Sequence, residues 1–176
     1  FGYYGEDGIW KTGDLNYHRY NIRSNLSFDV TKDLKAELLI GAMSDEKNQP
    51  YKDTWEQFKA IWMLKPTETL YANNNESFPN DVMYGLNPLM ITDADQSGYK
   101  RRINRTLNTT FTLTYKAPFL KGLSAKFLYA YDYKNYQQKE FQKQYTLYKY
   151  DREKDVYNSQ IYSSPSSIYR KSWEGA

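Results

Sequence analysis

Residues 19–43 alternate apolar and polar side chains with a period of two, and that period constrains the fold more than any other feature of the chain. In RYNIRSNLSFDV, Tyr20, Ile22, Leu26, Phe28 and Val30 fall on one side, with Ser24 as the polar break. Arg19, Asn21, Arg23, Asn25, Ser27 and Asp29 fall on the other. Successive strand residues point to opposite faces, so this run is a strand with one greasy face and one wet face. After Thr31, Lys32 and Asp33 the alternation resumes with Leu34, Ala36, Leu38, Ile40 and Ala42 in step. Two such runs around a short polar turn predict an antiparallel hairpin.

The device recurs. From residue 102 to 115, Ile103, Leu107, Phe111, Leu113 and Tyr115 share one face, opposite a row of Asn and Thr. Arg105 sits near its start, where a long side chain can reach a polar boundary. A short connection over 116–122 leads to a fourth run with Ala125, Phe127, Tyr129, Tyr131 and Tyr133 in step. Beyond Tyr133 the β-forming residues continue with both faces polar. This predicts strands that extend into water, meet at a turn near 151–155, and pass a loop at 163–167 before a last strand. Residues 1–18 carry Gly2, Gly5, Gly8 and Gly13 among aromatics and read as a loop. Both ends look cut from something longer, with no starting Met and no signal-peptide pattern at Phe1.

The two hairpins are separated by a long excursion over 44–100, broken by Pro50, Pro66, Pro79, Pro88 and Gly85. Within it, residues 51–65 place Trp55, Phe58 and Trp62 at helical spacing and predict a short amphipathic helix. A connection this long usually serves binding or acts as a lid.

Composition decides which apolar medium the greasy faces meet. The net charge of +3 gives no drive toward nucleic acid, and the absence of cysteine removes disulfides and thiolate chemistry. The mean hydropathy of -0.88 argues against transmembrane helices but not against a membrane barrel, whose alternating strands average out as polar. The 19 tyrosines suit half-wet surfaces such as bilayer interfaces or sugar-binding faces. Each apolar face runs for about 10 residues, the length a tilted strand needs to cross a bilayer. Connections are short after the first and third runs and long after the second and fourth, as in outer-membrane barrels with long external loops. Tyr20, Tyr129, Tyr131 and Tyr133 are expected at the outer girdle, and Phe28, Tyr115 and Phe119 near the short turns. The alternative is a soluble sandwich whose strands alternate for packing of sheet on sheet.

With these residues in view, the chain resembles the barrel of SusC/RagA-type TonB-linked outer-membrane proteins. The resemblance rests on RYNIRSNLSFDVTKDLKAEL, on GLNPLM at 85–90, and on RTLNTTFTLTYKAPFLKGLSAKFLYAYDY, and extends through KEFQKQYTLYKYD. It implies that residues 1–176 are part of a barrel domain of about 22 strands, plugged by a domain these residues do not include. The implied fold is an all-β antiparallel transmembrane barrel segment with long extracellular loops and a short loop helix. The implied function is active import of oligosaccharides or peptides across the outer membrane of a Gram-negative bacterium. The implied partners are outer-membrane lipid, the TonB complex and a SusD-like surface lipoprotein acting as a lid. A soluble β-rich carbohydrate-binding module and a passive porin are the competing functions.

No catalytic constellation stands out, so no enzyme activity and no cofactor are expected. His18, the sole histidine, reads as a polar residue at a strand end. Asp93, Asp95 and Ser97, followed by Gly98, resemble the opening of a calcium loop. The twelfth position is Asn104 where such loops carry a bidentate Glu, so a plain polar turn is the default. Trp55 and Trp62 are the first candidates for ligand contact, with Tyr84 and Trp10 behind them. Their helical spacing favours packing of Trp55 and Trp62 on one face over stacking on sugars.

Overall fold

The computed structural model describes residues 1–120 and 122–175. Lys121, within the predicted second short connection, and Ala176, at the end of the predicted last strand, lie outside the described residues. Strands hold 60% of the chain and the helices are few and short, so the fold is antiparallel β.

Among the described residues eight strands follow the sequence: β1 (Gly2–Asp7), β2 (Asn16–Thr31), β3 (Leu34–Pro50), β4 (Gly98–Lys116), β5 (Ser124–Gln142), β6 (Tyr145–Asp151), β7 (Val156–Tyr162) and β8 (Ser166–Gly175). Six form one sheet in the order β1-β2-β3-β4-β5-β8, and β6 and β7 pair with each other apart from it. Among the described residues three α-helices, α1 (Thr54–Met63), α2 (Pro88–Ile91) and α3 (Ala94–Ser97), and two 3-10 turns, Ala72–Asn74 and Met83–Gly85, lie in the long excursion. No described helix is long and apolar enough to cross a membrane, which says nothing of strands.

The register turns the alternation of single strands into faces of a sheet. Residues directly opposite in an antiparallel pair point the same way. Leu26 faces Leu38, Leu38 faces Phe111, and Phe111 faces Tyr129, making one apolar row across four strands. The rows Phe28–Ala36–Leu113–Phe127 and Ile22–Ala42–Leu107–Tyr133 repeat it on either side. Tyr129 therefore lies in the middle of the apolar zone and not at the outer girdle expected for it. Tyr3, Tyr20, Ser44, Arg105, Asn135 and Trp173 form the boundary row. Past it the same face turns polar: Arg101 Nε lies 2.8 Å from Glu46, and Asn48 Nδ2 donates to Asn16 at 2.9 Å.

The reverse face is knitted by polar bonds. Asn104 Nδ2 donates to Asp45 at 2.9 Å, and Asn108 Nδ2 to Asp132 at 2.6 Å, each across a strand pair. The apolar face has no covering layer among the described residues. Ile22 is 50% exposed, Leu26 52% and Phe127 58%, values that a second packed sheet would drive toward zero.

Connections at the two ends of the sheet differ in length. The short ones, 32–33 and 117–123, lie at one end. Segments 8–15, 51–97 and 143–165, the last carrying β6 and β7, gather at the other, as the pairings Asp7↔Asn16, Pro50↔Tyr99 and Gln142↔Ser166 require. Part of the predicted N-terminal loop is strand: β1 pairs along β2, and Tyr3 packs on Tyr20 with ring centroids 5.0 Å apart. Gly2 and Gly5 lie within this strand, paired with Asn21 and His18. A Cβ on Gly2 would meet Asn21 at 2.2 Å, and one on Gly5 would meet the Tyr3 hydroxyl at 2.5 Å.

Candidate functional site

The only packed apolar core among the described residues sits at the end with the long connections. Ala60 of α1, Met90 and Ile91 of α2, and Tyr145 and Leu147 of β6 form it, with Leu86 and Tyr162 at its edge. The GLNPLM stretch holds this cap together. Asn87 is fully buried and accepts from Leu89 N at 2.9 Å, capping α2 ahead of Pro88. Its Nδ2 donates to the carbonyls of Leu70 and Asn80, both at 2.9 Å. Gly85 takes a left-handed φ of 68°, and a Cβ there would meet the Tyr162 ring at 2.2 Å. Tyr145 donates its hydroxyl to the Gly85 carbonyl at 3.0 Å, and Tyr162 donates to Asp81 at 2.8 Å. Burial, then the Asp81 carboxylate, pushes the Tyr162 phenol up to about 12. Burial likewise raises Tyr145, against a smaller lowering contact from Ser163.

Beside this core opens a cleft of about 950 Å³, bounded by segment 8–15, the excursion and β6. Trp10, Tyr71, Tyr145 and Tyr148 supply its aromatic wall, and Glu76 and Asp93 its carboxylates. Gln96 and Gln144 add amides, and Lys11 is the one cation among its described lining residues. The segments are tied across the cleft. Thr12 Oγ1 donates to Thr92 O at 3.2 Å, and Ala94 N donates to Asp14 at 2.8 Å. β6 is bonded along one edge and at a single residue, Tyr148, on the other. β7 pairs on one side, while Tyr148 N donates to Pro79 O and Asp81 N to Tyr148 O on the other, each at 2.8 Å.

Of the four aromatic candidates, the structure brings only Trp10 to this cleft. Its Nε1 is shielded and has no hydrogen-bond partner among the described residues, and its ring lies 5.6 Å from that of Phe58. Trp55 and Trp62 are 69% and 83% exposed on α1, so the packing expected for them is overturned. The helix buries Gln57 and Ala60 instead, because a small side chain lets α1 approach α2 closely while the large aromatics face away. Tyr84 is 73% exposed, with a left-handed φ of 59°.

Asp93, Asp95 and Ser97 belong to α3 and its cap. Asp93 Oδ1 accepts from Asp95 N at 2.7 Å, and Ser97 Oγ donates back to Asp93 O at 3.0 Å. Asn104 lies along β4, bonded to Asp45. Among the described residues no group of three or more His, Cys, Asp or Glu is placed to hold a metal ion. His18 lies inside β2, with its Nδ1 3.0 Å from the Tyr3 hydroxyl.

Tyr71, Glu76, Gln144, Tyr145 and Tyr148 escaped the sequence reading. Tyrosines are spread through the whole chain, and nothing local marks those that meet across the cleft. Comparison with known proteins returned no matching family model, no matching curated protein and no matching solved structure.

Proposed function

We propose that this chain is a segment of an outer-membrane β-barrel of the SusC/RagA type, importing oligosaccharides or peptides with energy delivered through TonB. The observation that carries the reading is the uncovered apolar face of a one-layer sheet, continuous across β2, β3, β4 and β5. On β4 it runs from Arg105 to Tyr115. Ten steps of about 3.3 Å, tilted by about 40°, give an apolar band roughly 25 Å tall, the height of a barrel's lipid-facing belt. Arg105, Tyr20 and Trp173 at its border suit the bilayer interface, and the polar network on the reverse face suits a wet lumen. A six-stranded sheet leaves two edges unpaired, so in lipid its β1 and β8 edges need further strands.

The long connections then face the cell exterior, where a SusD-like lipoprotein would cover them and the cleft would meet incoming substrate. Membrane fractionation tests the reading. The protein is expected in the outer-membrane fraction, extracted only by detergent, with a gel mobility that shifts on boiling. Recovery in the soluble fraction without detergent overturns it. Uptake unaffected by a protonophore would leave a passive porin in its place.

A further inference from the structure

We infer that the apolar side of the sheet, just past its band, holds an anionic lipid whose headgroup carries more than one phosphate. The inference rests on the barrel reading and adds to it which lipid the wall selects. Three observations carry it.

The first is where the cations fall. On the apolar side Arg105 stands in the boundary row, and Arg101, Lys139 and Lys171 lie beyond it on β4, β5 and β8. Arg101 and Lys139 are register partners, and Lys171 sits two residues along β8 from Tyr169, the partner of Lys139. Arg101 and Arg105 are about 13 Å apart along β4 and the three strands span about 10 Å, a patch wider than one phosphate.

The second is that this charge is unbalanced. On the same stretch of β3, β4, β5 and β8, Glu46 is the one carboxylate among the described residues. Arg101 Nε at 2.8 Å and Asn48 Nδ2 at 3.1 Å already hold it. Arg105, Lys139 and Lys171 are exposed and form no ion pair among the described residues. Arg101 and Lys139 also line a notch of about 370 Å³ against the cap, where Asp14 is engaged by Ala94 N at 2.8 Å.

The third is that the band is asymmetric. At the end with the short turns the same side carries Leu34, Tyr115 and Ala125, and Lys35, Lys116 and Lys126 fall on the reverse face. Only one border of the band therefore attracts anions. A soluble anion would need the cations alone, whereas apolar residues directly below them call for acyl tails as well. Lys139 lies over the Tyr99 ring at 5.6 Å and Lys171 over the Trp173 ring at 5.9 Å, so each stem rests on an aromatic body with its charge at the border.

The test is native mass spectrometry of the full-length protein in neutral detergent, titrated with diphosphoryl lipid A, its monophosphoryl form and phosphatidylcholine. Diphosphoryl lipid A is expected to bind about tenfold tighter than phosphatidylcholine, with the monophosphoryl form between them. The variant R105Q/K139Q/K171Q should cut that advantage to about twofold, whereas K35Q/K116Q/K126Q, on the reverse face, should keep it. K139Q and K171Q alone should each weaken lipid A by about threefold to fivefold, and they carry the test if the triple variant does not assemble. Pyrophosphate at about 1 mM should not displace the lipid, because it brings charge without tails. The inference is overturned if either phosphate-poorer lipid binds as tightly, if the boundary variants keep the full advantage, if the reverse-face variant loses it equally, or if pyrophosphate displaces the lipid. The boiling-dependent gel shift is read on the same samples. Its retention without lipid preference removes the lipid site and keeps the barrel; its absence from the unaltered protein removes the barrel and the lipid site with it.

Discussion

The Tyr145 hydroxyl donates to the Gly85 carbonyl at 3.0 Å, joining two buried residues 60 positions apart. Tyr145 belongs to the hairpin inserted between β5 and β8, and Gly85 to the excursion between β3 and β4. The bond therefore locks together two connections that leave the sheet at separate strand pairs. Tyr145→Phe is expected to leave the carbonyl without this partner at a cost of about 1–2 kcal/mol. Limited proteolysis should then cut the 51–97 segment faster, with the sheet intact.

Gly85 itself tolerates no side chain. Gly85→Ala would drive a Cβ into the Tyr162 ring and hold alanine at a φ of 68°. The expected loss is about 2–4 kcal/mol, greater than that of Tyr145→Phe. Double variants with Tyr162→Ala should recover part of it, which thermal unfolding of the cap would measure.

Asn87 is the most heavily bonded side chain of the cap. Asn87→Leu removes the α2 cap and one of the two donors on each of the Leu70 and Asn80 carbonyls, which keep Asn80 N and Val82 N, for about 1–3 kcal/mol in all. Asn87→Asp keeps the cap but places a carboxylate against two carbonyls. Both should lower the recovery of correctly assembled protein, read as the fraction that shifts on boiling.

In the proposed barrel, one face of the sheet meets lipid and the other the lumen, alternating residue by residue. Leu26→Lys on the apolar face is expected to cost about 2–4 kcal/mol of membrane assembly, whereas Asn25→Lys on the reverse face should cost little. Equal outcomes for these neighbours in a vesicle-insertion assay would contradict the assignment of faces.

Alkali should loosen the cap. Below pH 10 the Tyr162 phenol is protonated in both states. Between its ordinary value of 10.0 and about 12 the unfolded chain ionises first, so stability falls as pH rises through that window. Tyrosine absorbance near 295 nm should show a late-titrating phenol that disappears in Tyr162→Phe.

Much of the sheet was legible in the chain itself. Because side-chain direction alternates strictly along a strand, the sequence around Leu26, Leu38, Phe111 and Phe127 was enough to assign their common face. It was enough, too, for the unequal connections and for the polar continuation beyond Tyr133. The cap was not legible. Helical spacing on α1 pointed to Trp55 and Trp62, but the face that packs is the one bearing Ala60, chosen by the approach of α2. Nothing near Tyr145 indicates that β6 and β7 leave the sheet while β8 rejoins it at β5. Nor does anything near Trp10 indicate that it meets Tyr148 across a cleft.

By itself, then, the sequence determined which way each strand's side chains face, since that depends on residues two apart. Only the tertiary structure decided the register that gathers those faces into one apolar surface, and the cap and cleft at its end. Those rest on contacts such as Tyr145 with Gly85 and Thr12 with Thr92, between residues 60 and 80 positions apart, which no local pattern encodes.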